Sequence, residues 1–262
     1  MLGVMVQRSW TLKSATVAFV LSTLGLAFSA LPADAAPSAC PAHYVGGERP
    51  EVHHAPLAKN TTEICLSGFA VMYSGLTKTP LWSAYYLTPE RIRQAQNVNR
   101  RDNFAPYPKI PKAWRSELID YRGTGIDRGH LAPFAVMANT KQGDESFYLI
   151  NIVPQHAAFN RGRWAAIEDR VRQYASQDPV YVITGALFLT KKLERLNKRV
   201  LVPSHMYKLV YSPAKNQTAV FVATNKPTTQ VRMMNAAQFE RFSRSTVVLP
   251  AFIRNTTELK LN

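Results

Sequence analysis

Apolar residues fill 69–73 and 81–87 almost without a break, the first run after Gly68 and the second rich in aromatics, so both read as strands. Residues 74–80, with Gly75 and Pro80, read as the hairpin connection between them. Thr88, Pro89 and Glu90 follow as an N-cap, a first-turn proline and an early acid, which start a short helix. A further strand is expected over 147–153, ended by Pro154, which has no N–H to give to a ladder. Over 161–176 the apolar spacing changes to threes and fours, and Trp164, Ile167, Val171 and Tyr174 make one helix face. Asp178 and Pro179 stop that helix. A buried-type strand is expected over 180–189, a hairpin over 206–211 and 219–224, and a last helix over 235–243.

This order of elements predicts an α+β fold, with a mainly antiparallel central sheet flanked by helices. Two stretches carry no period. Residues 36–63 read as an irregular N-terminal arm and 97–125 as a long loop, and loops of that length in compact domains are usually functional. No linker rich in Pro, Gly or Ser divides the chain, so 36–262 read as a single domain. The first 35 residues stand apart: Arg8 and Lys13 precede an uncharged apolar run over 15–31, and Ala33-Asp34-Ala35 offers a cleavage site of small residues. This is a signal peptide rather than a membrane anchor, because the run falls short of the ~20 apolar residues that a bilayer span needs. It predicts an exported protein, periplasmic or secreted, with no membrane contact in the mature form.

Charge narrows the partners. Lys and Arg number 32 against 17 Asp and Glu, a net +15 at pH 7. That balance favours nucleic acid, anionic lipid or cell-wall polymer. Arg91, Arg93, Arg100, Arg101, Arg122, Arg128, Arg161, Arg163, Arg170 and Arg172 crowd one half of the chain, and arginine is the better bidentate phosphate ligand. The two cysteines, Cys40 and Cys65, read as a disulfide in an exported chain, with two free thiols or half a metal site as the alternatives.

The arginine-rich half also holds Asp127-Arg128-Gly129-His130, followed by Asn151, Asn160 and Glu168. An imidazole is a base, a guanidinium clamps phosphate, and amide and carboxylate oxygens suit a hard cation. In an extended segment Arg128 and His130 share one face, with Gly129 and Asp127 on the other. Asp127 then serves as scaffold, holding the backbone or a basic neighbour. Asn160, Trp164 and Glu168 are spaced by four, on one side of a helix, and Asn151 falls at a strand end. Singly, each has a plain structural explanation: a satisfied histidine, a buried asparagine, an exposed Glu168 paired with Arg172 four residues on. Together they are the parts of a phosphodiesterase site.

These residues, with Ile152-Val153-Pro154-Gln155 after Asn151 and with Thr79-Pro80-Leu81-Trp82, Leu87-Thr88-Pro89-Glu90 and Asp102-Asn103-Phe104 upstream, resemble the DNA/RNA non-specific endonuclease family. The resemblance covers residues 65–245 and implies a ββα-metal finger, also called a His-Me finger. It implies His130 as general base and Asn160 as the direct protein ligand of one Mg²⁺, with Mn²⁺ as a substitute. Glu168 would orient water of the cation's hydration shell, Asn151 would support His130 and the cation, and Arg128 would contact phosphate. A second catalytic arginine is expected ahead of Asp102, and Arg101 is chosen over Arg100. Tyr107 stands where many relatives carry an acid, so the loop around that arginine departs from the family pattern. The expected activity is sugar-non-specific cleavage of DNA and RNA through backbone phosphates, giving 5′-phosphate ends. An inhibitor protein is an expected partner, because such a nuclease endangers its maker. Two other classes stay open. A non-catalytic nucleic-acid-binding or uptake protein on the same fold has no need of His130, Asn160 and Glu168 together. A secreted phosphodiesterase acting on small substrates needs a deep pocket rather than a basic groove.

Overall fold

Two long hairpins and the strands beside them set the architecture. The computed structural model describes residues 36–228 and 230–261, so the segment read as a signal peptide lies outside the described residues. In chain order the principal strands are β1 (Thr61–Cys65), β2 (Ala70–Ser74), β3 (Thr79–Leu87), β4 (Ile126–His130), β5 (Ile152–His156), β6 (Val180–Leu187), β7 (His205–Ser212), β8 (Gln217–Thr224) and β9 (Val231–Met234). The helices that bear on function are α1 (Pro89–Ala95), α2 (Thr140–Ser146), α3 (Ala165–Ala175) and α4 (Ala236–Phe242). The central sheet runs β9-β8-β7-β6-β3-β2-β1, antiparallel at every step, and the short strand Thr257–Glu258 adds to it parallel to β8. β4 and β5 pair with each other outside that sheet.

Both faces of the sheet are covered. That is why its strands are almost continuously apolar instead of alternating with polar residues. On one face Tyr73, Tyr85, Val182, Met206, Val210 and Phe221 pack under Leu131, Ile150, Val153, Trp164, Ile167 and Val171, the layer that carries β5 and α3. On the other face Trp82, Ile183, Tyr207, Leu209 and Val222 pack against Tyr44, Phe239, Leu249 and Ile253. Each such buried side chain contributes about 1.5–3 kcal/mol. Thr88 caps α1 by accepting from Arg91 N at 3.1 Å, as its sequence signature predicts. Asn235 and Gln238 close a capping box at the start of α4.

Several local expectations are corrected. Residues 147–151 are not a strand: Phe147 caps α2, and Leu149–Asn151 make a 3₁₀ turn. The strand starts at Ile152 and runs through Pro154, opposite Arg128. A two-stranded ribbon has free edges, and a residue without an N–H is tolerated there. The N-terminal arm ends in a strand of its own, β1, which pairs with β2. Cys40 and Cys65 form a disulfide with a Cα–Cα distance of 5.4 Å, tying the arm to the end of β1. Between 97 and 125 the one helix among the described residues is Leu118–Tyr121. No helix among the described residues is long and apolar enough to cross a membrane.

Candidate active site

β4 and β5 form an antiparallel ribbon, and the chain passes directly from β5 into helix, giving a ββα unit. Gly129 faces Gln155 across the ribbon: a Cβ there would stand 2.1 Å from Gln155 Oε1 and 2.8 Å from Gln155 Cβ. Neither distance is compatible with a side chain, so glycine is required for the two strands to close. Asn151 fixes the exit of β4. Fully buried, its Oδ1 accepts from Ser83 Oγ at 2.8 Å and Ala132 N at 2.9 Å, and its Nδ2 donates to Ala132 O and Ser146 O, each at 2.9 Å. It thereby ties β3, the turn after His130 and the end of α2 together. All its hydrogen-bonding positions are used, so it has no capacity left for a ligand.

His130 lies between two rings, Phe104 and Phe147, with centroids 5.5 and 5.0 Å away. The same rings hold two guanidiniums: Arg128 lies 4.1 Å from the Phe104 centroid and Arg100 lies 5.1 Å from that of Phe147. His130 Nε2 is buried and has no hydrogen-bond partner. Burial first, then the Arg100 charge, opposed by Asp102 and reinforced by Arg128, pushes the imidazole pKa down to about 3. A neutral ring with an acceptor nitrogen results.

An open cleft of about 760 Å³ is lined in part by Arg100, Asp102, Phe104, Arg128, Asn160 and Arg161. Arg100 is held there by its Nε, which donates to Asp102 Oδ1 at 2.8 Å. Arg101 points elsewhere: its Nε donates to Asp144 Oδ1 at 3.1 Å, its Nη2 reaches the same carboxylate, and Asn103 adds a third donor. Arg101, the arginine chosen from the sequence, is thus bound to Asp144 and does not line the cleft. Neighbouring side chains diverge: Asp144 captures Arg101, and of the two it is Arg100 that lines the cleft.

Beyond β5 the chain is helical from Ala157 to Ala175, but Asn160–Trp164 is wound as a π turn. The wider turn breaks the four-residue stripe expected of Asn160, Trp164 and Glu168, and such turns recur at functional sites. Asn160 Nδ2 donates to Asp127 Oδ2 at 3.0 Å. Arg161 binds the same carboxylate through Nε at 2.9 Å and Nη2 at 2.6 Å. Burial alone would raise the Asp127 pKa, yet the Arg161 and Asn160 bonds hold it below the usual carboxylate range. Asp127 is thus a scaffold group that fixes the Asn160 amide and leaves its carbonyl oxygen to accept.

Neither His130 nor Glu168 lines the cleft itself; His130 lies behind Phe104 and Arg128, which do, and Glu168 is set apart on α3. Its Oε1 is buried without a hydrogen bond, 3.6 Å from Lys208 Nζ. Arg172, the partner expected for an exposed Glu168, pairs with Asp169 instead. Sequence reasoning gives Lys208 no role, although the signal is present: one lysine in the otherwise apolar run of β7. The aromatic bracket of Phe104 and Phe147 also escapes pattern reading, because one residue comes from the long loop and the other from a helix end.

Comparison with known proteins agrees with this geometry. The family model of DNA/RNA non-specific endonucleases matches residues 51–252. Nuclease 1, mitochondrial, of Schizosaccharomyces pombe is 34% identical over 61% of this chain and 56% of its own length. Endonuclease G, mitochondrial, of Homo sapiens is 32% identical over 66% of this chain and 62% of its own length. The chain thus spans less than two thirds of either relative. A solved structure described as the EndoG/EndoGI complex and the mechanism of EndoG inhibition superposes with a TM-score of 0.66 at 28% identity, covering 73% of this chain and 86% of that one. The relatives' names overturn the expectation of an exported, periplasmic or secreted protein, since they are mitochondrial nucleases. The basic start without acids before Asp34 is a feature that export and organellar-import leaders share, so it does not fix the address. With the family match covering most of the chain and the ββα unit in place, the chain belongs to the DNA/RNA non-specific endonuclease family.

Proposed function

We propose that residues 36–262 act as one nuclease domain that hydrolyses phosphodiester bonds of DNA and RNA, without sugar or strong base preference, and leaves 5′-phosphate ends. The observation that carries this reading is His130, a half-buried imidazole held neutral, whose buried Nε2 has no partner and which lies beside two guanidiniums. A base needs such an acceptor, and a polyanion needs such neighbours.

One divalent cation, Mg²⁺ with Mn²⁺ as a substitute, completes the proposal. Among the described residues no group of three or more His, Cys, Asp or Glu side chains is placed to hold a metal. The donor present in the cleft fits a cation that keeps most of its waters: the Asn160 carbonyl oxygen, on an amide held by Asp127, with Glu168 on the same helical segment behind it. The cation, when bound, supplies charge stabilisation for the transition state and the departing 3′ oxygen. His130 takes the proton of the attacking water. Arg128 and Arg100 bind the phosphate and offset its growing charge. Glu168 orients water, and Asn151 acts on the reaction only by holding the backbone beside His130. A protein inhibitor is the further partner proposed, supported by the described inhibition of EndoG by EndoGI.

Purified protein is incubated with plasmid DNA and with RNA, in Mg²⁺ and in excess chelator, beside His130→Ala. Cleavage of both substrates in Mg²⁺ alone, lost in the variant, is the expected result. Undiminished cleavage by His130→Ala would sink the mechanism, and binding without metal-dependent cleavage by the wild type would sink the activity.

A further inference from the structure

Among the described residues Lys208 is the one buried lysine, on the face of the sheet beneath the site. It is 1% exposed, lies between Met206 and Val210 on its own strand, and faces Thr184 and Phe221 across the neighbouring ones. An ammonium removed from water costs several kcal/mol unless it is paired. Its Nζ donates to Thr184 Oγ1 at 2.5 Å and to Tyr85 OH at 3.3 Å, both neutral acceptors. The negative charge it pairs with is Glu168, at 3.6 Å, and its Nζ also lies 5.4 Å from the Trp164 ring centroid in the π turn.

That separation matters. At 3.6 Å Lys208 compensates the charge of Glu168, while its shorter hydrogen bonds go to Thr184 and Tyr85. A fold seeking stability alone would place an apolar residue between Met206 and Val210, since replacing a buried ion pair by packed apolar groups is often neutral or stabilising. Arg172 pairs with Asp169 and acts on Glu168 only through its charge, after that of Lys208.

We propose that Lys208 is a positioning residue: from the central sheet it holds the Glu168 carboxylate in place on α3, oriented for water and not consumed by the contact. This rests on the nuclease reading above, with Glu168 as the group that orients water. Partners behind the groups nearest a metal typically change activity 10- to 100-fold when removed.

The test is a double-mutant cycle of wild type, Lys208→Met, Glu168→Gln and the double variant. Cleavage of plasmid DNA in Mg²⁺ is resolved into kcat and KM, and thermal unfolding is followed in chelator. Lys208→Met should lower kcat about 10- to 100-fold with KM for DNA changed less than about twofold. In the Glu168→Gln background the same substitution should lower kcat no further. The unfolding midpoints should be non-additive in the same sense, with the double variant at least as stable as either single one. If Lys208→Met does not fold, Lys208→Gln takes its place in the cycle. Additive losses in kcat, or an unchanged kcat in Lys208→Met, overturn the role of Lys208 while leaving the nuclease reading intact. A wild type that cleaves nothing in Mg²⁺ overturns the nuclease reading itself.

Discussion

A base must be neutral to accept a proton, and burial and the Arg100 charge keep His130, the proposed base, neutral. Its folded pKa of about 3 lies below the ordinary 6.5. Between those values the unfolded chain binds a proton that the folded one refuses. Stability from this group is therefore present above pH 6.5 and is lost as pH falls from there through about 3, while the base itself stays competent. The acid limb of kcat/KM should accordingly lie well below the ordinary histidine range; a limb centred near 6.5 contradicts the burial. His130→Ala should lower kcat by about 10²- to 10⁴-fold in plasmid cleavage. Gly129→Ala tests the other side of the same strand. Its Cβ would meet Gln155, and overpacking of this kind costs about 1–3 kcal/mol, read as a lower urea midpoint. At this scale the sequence was informative where chemistry is local: Asp127, Arg128, Gly129 and His130 sit on one strand as their alternation implies. It was silent where a side chain chooses between partners. Arg100 and Arg101 are neighbours with the same charge, and the carboxylates that hold them, Asp102 and Asp144, separate them.

Elements carry the site through a few polar staples. Asn151 joins β3, the turn after β4 and the end of α2 with four hydrogen bonds. Asn151→Ala would strand buried partners such as the Ala132 N–H, at about 1–3 kcal/mol each. Urea unfolding should show a loss of at least about 2 kcal/mol, and kcat should fall because His130 leads directly into that turn. Full activity in a variant so destabilised would show that the turn does not position the histidine. The periodic segments α1, α3, β3, β6, β7 and β8 were legible because both faces of the sheet and one face of α3 are apolar. The strand at 152–156 and the helix at 140–146 were not. Pro154 argues against a strand until the free edge of the ribbon is known. Gly143 lowers the helical signal of a segment whose start is set by Asn139, which accepts from Gln142 N at 3.0 Å. The π turn at Asn160–Trp164 has no sequence period of its own, so the spacing of Asn160 to Glu168 read as a regular stripe. The disulfide was legible from cysteine count, and closing its loop contributes about 3 kcal/mol in the chain-entropy model. Cys40→Ser with Cys65→Ser should lower the unfolding free energy by that amount.

For the whole molecule, the net charge of +15 and the cleft arginines act at different ranges. Net charge steers a polyanion toward the surface from a distance of about a Debye length, ~8–10 Å at physiological salt. Arginines that touch phosphate release condensed counterions, and each such contact adds about −0.9 to the slope of log K against log salt on duplex DNA. The two effects separate experimentally. Both Arg128→Ala and Arg93→Ala lower the net charge by one, but only Arg128 lines the cleft, and Arg93 already pairs with Glu90 on α1. DNA affinity measured in chelator across a salt series should show a steep negative slope for the wild type. Arg128→Ala should make that slope shallower by about 1, while Arg93→Ala should leave it in place with at most a uniform shift. Equal slopes for all three proteins would mean that the cleft does not engage the backbone, and that the basic surface attracts nucleic acid without presenting it to His130.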